Sequence, residues 1–231
     1  SQVTREVDSV LYTRAGLEVS VASSKCFTAQ VALLYLVALK LAQIRETLPP
    51  GEIEFILDFV YKLPNKIQQF LDGHHPIDEI AQRHFDKPFF LYLGRHTGLP
   101  VALEGALKLK EISYIPTEAY SAGEMKHGPI ALLDEQTPVV VVATNIHVYD
   151  KIVSNIQEVR ARGAHVIAIA TDGNEDIQHH ADDVIYIPKT PAFLQVVLAI
   201  VPLQLLAYRI ARMRGLNVDQ PRNLAKTVTV E

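Results

Sequence analysis

The sequence predicts an α/β fold with a doubly wound parallel sheet that follows a helical segment. Four short runs rich in β-branched and aromatic residues alternate with helical patterns, and Pro or Gly residues stand at the turns between them. The runs show little polar alternation, which is typical of strands buried on both faces of a parallel sheet. We therefore expect ligands at the carboxyl ends of these strands.

The doubly wound unit is predicted to occupy residues 87–231. Its strands are the runs PFFLYLG, PVVVVAT, HVIAIAT and DVIYIP. The helical patterns between and after them predict helices at Leu99–Ser113, His147–Arg162 and Pro191–Arg214. These elements follow one another as strand, helix, strand, as a parallel sheet requires.

Residues 1–86 show a different sequence pattern. A short strand at Ser9–Thr13, SVLYT, is followed by a long apolar helix over about Ser24–Thr47 and by two more helices. The segments VDSVLYTR and LVALKLA resemble the later segments ADDVIYIP and LLAYRIA. This favours the C-terminal remnant of a first α/β unit placed before a complete second one, with chance similarity as the alternative.

Composition excludes several classes of protein. The chain has 231 residues, 48% of them hydrophobic, and a net charge of -4 without a basic run, so no nucleic-acid partner is expected. The single cysteine, Cys26, excludes an internal disulfide framework and fits a reducing compartment. The polar N-terminus lacks a signal-peptide pattern, and Gln195 and Pro202 interrupt the apolar segment at 192–208. We expect a soluble, cytoplasmic protein without a membrane partner.

The helix predicted from Leu99 carries the first constellation that could support chemistry. Glu104, Lys108 and Glu111 stand at i, i+4 and i+7 and share one helix face. A solvated face with ordinary ion pairs is the simpler interpretation. However, this helix follows a buried strand and a glycine turn, and a carboxylate beside a lysine there could move a proton next to a carbonyl.

The segment AGEMKHGP holds Glu124 and His127 at a Glu-x-x-His spacing. A di-metal bundle needs two such motifs, and Gly128 and Pro129 end any helix after the histidine, so no metal is expected. The histidine is better suited to proton transfer, with a plain surface histidine as the alternative.

The C-terminal segment PRNLAKTVTVE contains Lys226. A lysine near a chain end is solvated and inert by default. A lysine held in a desolvated pocket would lose proton affinity and could form a Schiff base with a ketose, and composition does not choose between the two.

Three segments carry a resemblance to a known family: LEVSVASSKCFTAQ, LEGALKLKEISYIPTEAYSAGEMKHGP and DQPRNLAKTVTVE. Over essentially its whole length, the chain resembles the sugar-isomerase (SIS) region of the glucosamine-6-phosphate synthase family. The resemblance implies flavodoxin-like SIS domains in tandem behind a glutaminase domain. It also implies a transferase that makes glucosamine 6-phosphate from fructose 6-phosphate and glutamine-derived ammonia, without a cofactor.

The resemblance also implies roles for individual residues. Glu111 resembles the base that moves a proton between C1 and C2 of the sugar, and Lys226 the residue that forms an imine with its ketone. His127 resembles a ring-opening histidine contributed by the neighbouring subunit of a homodimer, and Lys108 a lysine that supports this chemistry. The substrate contacts implied are Val21, Ser23, Glu104 and Ala225.

Two parts of the family pattern are absent from the sequence: the glutaminase domain and the phosphate loop of the Ser-Gln-Ser-Gly-Glu type. We therefore expect a fragment that is weakly active or inactive alone, because a phosphate dianion needs several N–H groups and hydroxyls. Another SIS-family isomerase or deglycase is one alternative. A non-catalytic sugar-phosphate-binding or dimerisation module is another, and it predicts no loss of function in Glu111→Gln.

Overall fold

The computed structural model describes residues 2–226. Within them, seven α-helices and five β-strands follow one another along the chain. The helices are α1 (Val3–Glu6), α2 (Lys25–Ile44), α3 (Pro50–Asp72), α4 (Ile77–His84), α5 (Gly98–Ser113), α6 (Tyr149–Arg160) and α7 (Gln195–Met213). The strands are β1 (Phe90–Gly94), β2 (Thr117–Ser121), β3 (Pro138–Ala143), β4 (His165–Thr171) and β5 (Asp183–Ile187).

The five strands form one parallel sheet with the order β2-β1-β3-β4-β5. This is the flavodoxin-like order, in which the direction of winding reverses between β1 and β3. The predicted doubly wound α/β fold is therefore confirmed. Strands β1 and β3 are buried along their whole length, as their continuous apolar sequences require.

Helices cover both faces of the sheet. On one face, Tyr92 and Val140 pack in a core that α5 and α7 complete, together with Leu63 of α3 and Ile80 of α4. On the other face, residues of alternate parity along the same strands pack against α6. The helices before residue 87 thus share a core with the sheet that follows them.

Two short segments depart from the predictions. Residues Thr117–Ser121 form the edge strand β2, although the sequence TEAYS has no apolar run. The strand predicted at Ser9–Thr13 is wrong, since no strand forms there and Leu11 and Tyr12 are exposed. A strand needs a partner, and the sheet in the described residues begins only at Phe90. Of the internal similarity, only the helical halves correspond in structure, in α2 and α7.

Two helical segments are long and apolar enough to span a membrane by length and composition, at Lys25–Ile44 and Ala192–Met213. The second is the predicted buried helix, and most of its apolar window lies inside the protein. The first, α2, buries only Leu39 completely and exposes Leu34 and Ile44. Helix α2 is therefore more apolar than its contacts within the described residues require.

The turn between β1 and α5 brings two backbone segments into direct contact. A Cβ added to Gly94, the last residue of β1, would lie 2.7 Å from the amide nitrogen of Leu99 and would overlap the carbonyl group of Gly98. Only glycine permits this approach, because no side-chain rotation can relieve a clash with backbone atoms. The approach sets the position from which α5 starts.

We predict that Gly94→Ala lowers the free energy of unfolding by at least about 3 kcal/mol, because strand and helix must separate to admit the methyl group. Gly51→Ala is the matched control, since a Cβ there meets nothing within 4 Å. It should leave stability unchanged or raise it by up to about 1 kcal/mol. Urea denaturation of the two variants measures both values. Equal stability of the two variants would contradict the close approach.

Candidate active site

The centre of the site is a lysine buried between two carboxylates on α5. Lys108 Nζ lies 2.7 Å from Glu111 Oε2 and 3.4 Å from Glu104 Oε1. Only 4% of the Lys108 surface is exposed. The structure thus brings together the three residues that the helical spacing places on one face, and they are not a solvated face.

Partial burial distinguishes the two carboxylates from ordinary surface groups. Burial raises the pKa of Glu104, and the charge of Lys108 opposes that rise. Lys108 also donates a hydrogen bond to Glu111. A charged hydrogen bond of this kind fixes the orientation of the acceptor carboxylate. The cluster therefore holds an oriented carboxylate next to a buried cation, which suits a general base.

The cluster does not lie at the carboxyl ends of the strands, where we expected the ligand. Lys108 stands ten residues after Gly98 on α5, which places it about 15 Å along the helix from that edge. It lines a cavity of about 680 Å³ bounded by α2, α3, α5 and α7. Ser20, Ala22 and Ser24, in the loop before α2, line the same cavity.

This loop, residues 18–24, contains the predicted contacts Val21 and Ser23. A glutamate holds it against the start of α2: Glu18 Oε1 accepts hydrogen bonds from the backbone N–H groups of Ser24, at 2.9 Å, and Lys25, at 3.1 Å. The thiol of Cys26 also donates to this carboxylate. Burial alone raises the pKa of Glu18, but these hydrogen bonds outweigh it and lower the pKa to about 2.

The C-terminal segment is bound to the same loop. The Val21 N–H donates to the Asp219 carbonyl at 3.0 Å, and the Ser20 hydroxyl donates to the Val218 carbonyl at 3.0 Å. The loop and the C-terminal segment are thus joined through backbone carbonyls. Because these bonds use main-chain acceptors, they position the segment whatever side chains it carries at those two residues.

A second attachment joins the C-terminal segment to the end of α5. The Arg222 N–H donates to the Tyr114 hydroxyl at 2.7 Å, and the Arg222 guanidinium lies 4.4 Å from the centre of the Tyr114 ring. Tyr114 follows Glu111 by three residues, so this attachment holds the segment near the Glu111 end of the cluster.

Ala225 and Lys226 are exposed at the end of the described residues. The hydrogen bond to Glu18 raises the pKa of the Cys26 thiol, and the positive charge of Lys226 opposes that rise. Lys226 therefore lies near the start of α2 and the loop before it. The remainder of the predicted C-terminal segment, residues 227–231, lies outside the described residues.

His127 is not brought to the cluster within one chain. It ends a short 3-10 helix, Met125–His127, and is exposed. The neighbouring Met125 packs in the core between the sheet and α6, whereas Ile112 of α5 packs in the core on the opposite face. The sheet thus separates the segment of His127 from the core of α5. Glu124 is exposed and has no companion Glu-x-x-His motif in the sequence.

Sequence reasoning missed several residues of this arrangement. Glu18, Tyr114 and Arg222 position the loop and the C-terminal segment. All three lie in the segments that carry the family resemblance, but the sequence gives no sign of the contacts they make. At the carboxyl edge of the sheet, the exposed rings of His96 and His147 meet edge to face at 4.8 Å. The only signal for this pair was the position of each histidine just after a buried strand.

The fold and this site define a class of protein, the sugar isomerase domains. The chain belongs to the SIS domain family, whose model matches residues 87–214. Curated relatives match over the complete chain and narrow the class further. Proteins named glutamine–fructose-6-phosphate aminotransferase [isomerizing] are 53% identical in Thermus thermophilus and 51% identical in Methanosarcina acetivorans, each over 231 residues.

The chain spans only 38% of the Thermus relative and 37% of the Methanosarcina relative. Among solved structures, the C-terminal domain of glucosamine-fructose-6-phosphate aminotransferase from Francisella tularensis matches with a TM-score of 0.89 and 38% identity. That match covers 95% of this chain and 62% of the other. A glucosamine-6-phosphate deaminase from Thermotoga maritima matches with a TM-score of 0.71 and 25% identity, over 100% of this chain and 64% of the other.

The pKa of Glu18 predicts a pH-dependent contribution to stability. Because the folded-state pKa is about 2, below the ordinary value of 4.5, the contribution is present above pH 4.5 and is lost as pH falls toward 2. Glu18→Gln should therefore cost about 1 kcal/mol at pH 7, and its difference from wild type should vanish across that interval. Urea denaturation at a series of pH values measures it. Glu54→Gln on the exposed face of α3 is the control, and a matching pH profile in that variant would refute the role of Glu18.

Proposed function

We propose that this chain is the sugar-isomerase part of a glutamine–fructose-6-phosphate aminotransferase, which forms glucosamine 6-phosphate from fructose 6-phosphate and glutamine-derived ammonia. One observation carries the proposal: the loop before α2, the C-terminal segment and Lys108, which donates a hydrogen bond to Glu111, converge around one cavity. The two substrates and the amino transfer with isomerisation are taken from the names of the curated relatives. The convergence supports a shared site for those residues.

In the proposed reaction, the Lys226 amine adds to the C2 ketone of the open-chain sugar and water leaves, which gives an imine. The imine withdraws electrons and makes the C1 protons more acidic. Ammonia then adds at C2 and the Lys226 amine leaves, which gives a protonated C2 imine of ammonia. Glu111 removes a proton from C1 and returns it to C2, and the C1 hydroxyl loses its proton to solvent as C1 becomes the aldehyde of the 2-amino sugar.

Lys108 has a supporting role in this proposal. Its ammonium group lies 2.7 Å from the Glu111 carboxylate and holds it in one orientation, while Glu104 on the other side satisfies the buried charge. Val21, Ser23 and Ala225 would contact the sugar phosphate. The hydrogen bond between Val21 and Asp219 supports this, because it brings the loop and the C-terminal segment to one place.

His127 would open the sugar ring, since the cyclic form hides the ketone. Its place on the opposite side of the sheet from α5 supports a contribution from the neighbouring subunit of a homodimer. A histidine suits this step, because the two nitrogens of an imidazole ring can donate and accept a proton.

We further propose that residues 1–86 are the remnant of a first SIS domain and residues 87–231 a second one, with a glutaminase domain in the full-length protein. The share of the relatives that the chain spans supports this division. The chain alone would then bind fructose 6-phosphate weakly. The full-length protein would be a cytoplasmic enzyme, and it is the object of the tests below.

Borohydride trapping with fructose 6-phosphate separates imine formation from proton transfer. Wild-type protein should give a reduced sugar adduct on Lys226, located by peptide mass spectrometry, and Lys226→Arg should give none. Glu111→Gln should still form the adduct but lose turnover by about 10²- to 10⁴-fold, because only the proton transfer needs the carboxylate. Glu79→Gln on exposed α4 is the control. Full turnover in Glu111→Gln would refute its role as the base, and binding without turnover in wild-type protein would leave a non-catalytic sugar-binding module.

Mixing two inactive variants tests the shared histidine. If His127 acts across the interface, a dimer of His127→Asn with Lys226→Ala holds one intact site and one doubly altered site. Random reassociation should then restore about a quarter of wild-type activity, because half of the dimers are mixed. A histidine acting within its own chain gives no recovery. Mixing His127→Asn with Glu111→Gln should restore a similar fraction, which serves as the matched repeat.

A further inference from the structure

A second polar cluster lies at the edge of the sheet where the strands begin. His165 starts β4, Asp183 starts β5, and His84 ends α4 beside them. These residues stand far apart in the sequence, and contacts between the end of α4 and the starts of the strands bring them together. The cluster is therefore on the edge opposite to the carboxyl ends of the strands.

His84 is the unusual member of the cluster. It is 4% exposed, and neither ring nitrogen has a hydrogen-bond partner. Its ring lies 4.6 Å from the ring of His165 and meets Phe90 edge-on at 6.3 Å. Burying an imidazole without a partner for either nitrogen is unfavourable, and such orphan groups in native proteins call for a specific partner.

The other two members already face each other. His165 Nε2 lies 2.7 Å from Asp183 Oδ2, and one ligand atom from each of the three residues lies within 4.8 Å of the other two. We propose that His84, His165 and Asp183 form a site for a zinc-type divalent transition-metal ion, with a water molecule as the fourth ligand. Two imidazoles and one carboxylate are an established donor set for zinc, at about 2.0–2.2 Å from the ion.

Metal binding requires only a small rearrangement. In a tetrahedral site, donor atoms about 2.1 Å from the metal lie about 3.4 Å apart. The distance between His165 Nε2 and Asp183 Oδ2 would therefore lengthen slightly, and the His84 ring would move closer to both. A neutral imidazole keeps a lone pair on one ring nitrogen, and no hydrogen bond occupies either nitrogen of His84. The metal would satisfy one of its two orphan nitrogens.

The surroundings supply an outer shell and an entrance. Arg83 donates to Asp183 Oδ1, which leaves Oδ2 for the metal and fixes the carboxylate, as outer-shell partners of metal ligands do. The side chains of His165 and Arg83 are partly exposed, at 31% and 45%, so the ion can enter from that side. Lys87 is the other cation near His84. The negative charge of Asp183 partly offsets the positive charges of Arg83 and Lys87 there.

Such an ion would fasten α4 to the starts of β4 and β5. None of the three residues of the site is among those that line the cavity of Lys108, so we expect the site to stabilise the fold and not to take part in proton transfer. This inference does not depend on the proposed function.

The experiment uses metal-stripped full-length protein without an affinity tag. Titration with Co²⁺, followed by visible absorption, and with Zn²⁺, followed by calorimetry, should show one equivalent per chain with a dissociation constant below 10 µM, that is on the order of micromolar. His165→Gln and Asp183→Asn should each weaken binding at least about tenfold. His179→Gln, on the exposed surface, is the matched control and should not change it.

His84→Phe keeps the test decisive if loss of a ligand unfolds the chain, because an apolar ring suits the buried position. That variant should lose the Co²⁺ spectrum and the zinc-induced rise in Tm, while its Tm without metal equals or exceeds that of the metal-free wild type. The proposal is overturned if wild type binds no metal in this range. It is equally overturned if binding persists unchanged in the His165 and Asp183 variants.

Discussion

A parallel sheet buried on both faces must be covered on both faces, and the arrangement of this chain follows from that requirement. α6 covers one face, whereas the other needs α5, α7 and helices from the segment before residue 87. The N-terminal helices are therefore part of the core of the sheet. They also hold the loop of residues 18–24 on the side of α5 where Lys108 is buried. The packing that covers the sheet therefore also forms the candidate site.

The core of this fold could be predicted from sequence because its strands are nearly uniform in chemistry. The short length and β-branched content of a run such as PVVVVAT favour a strand shielded from water, and β3 occupies it. β2 escaped prediction because an edge strand is paired on one side only and tolerates the polar sequence TEAYS. Ser9–Thr13 has strand chemistry without a partner in the described residues, and pattern alone does not reveal that lack.

The candidate site likewise has a part that the sequence predicts and a part that it does not. Helical spacing places Glu104, Lys108 and Glu111 together, because residues within one helix have fixed relative positions. Contacts between distant segments have no such rule: the Arg222–Tyr114 attachment depends on how the chain returns after α7. The burial that makes Lys108 unusual also comes from helices elsewhere in the chain, so helical spacing gives its neighbours but not its environment.

The hydrogen bond between Ser20 and Val218 joins residues 198 positions apart in the chain. A contact of that span closes the longest kind of loop the chain can form, and its entropic cost precedes any gain from the bond itself. It belongs among the last contacts made during folding and among the first lost in local opening. The C-terminal segment is thus a late-forming and readily released part of the fold, and its release would open the cavity that Val218 and Asp219 line.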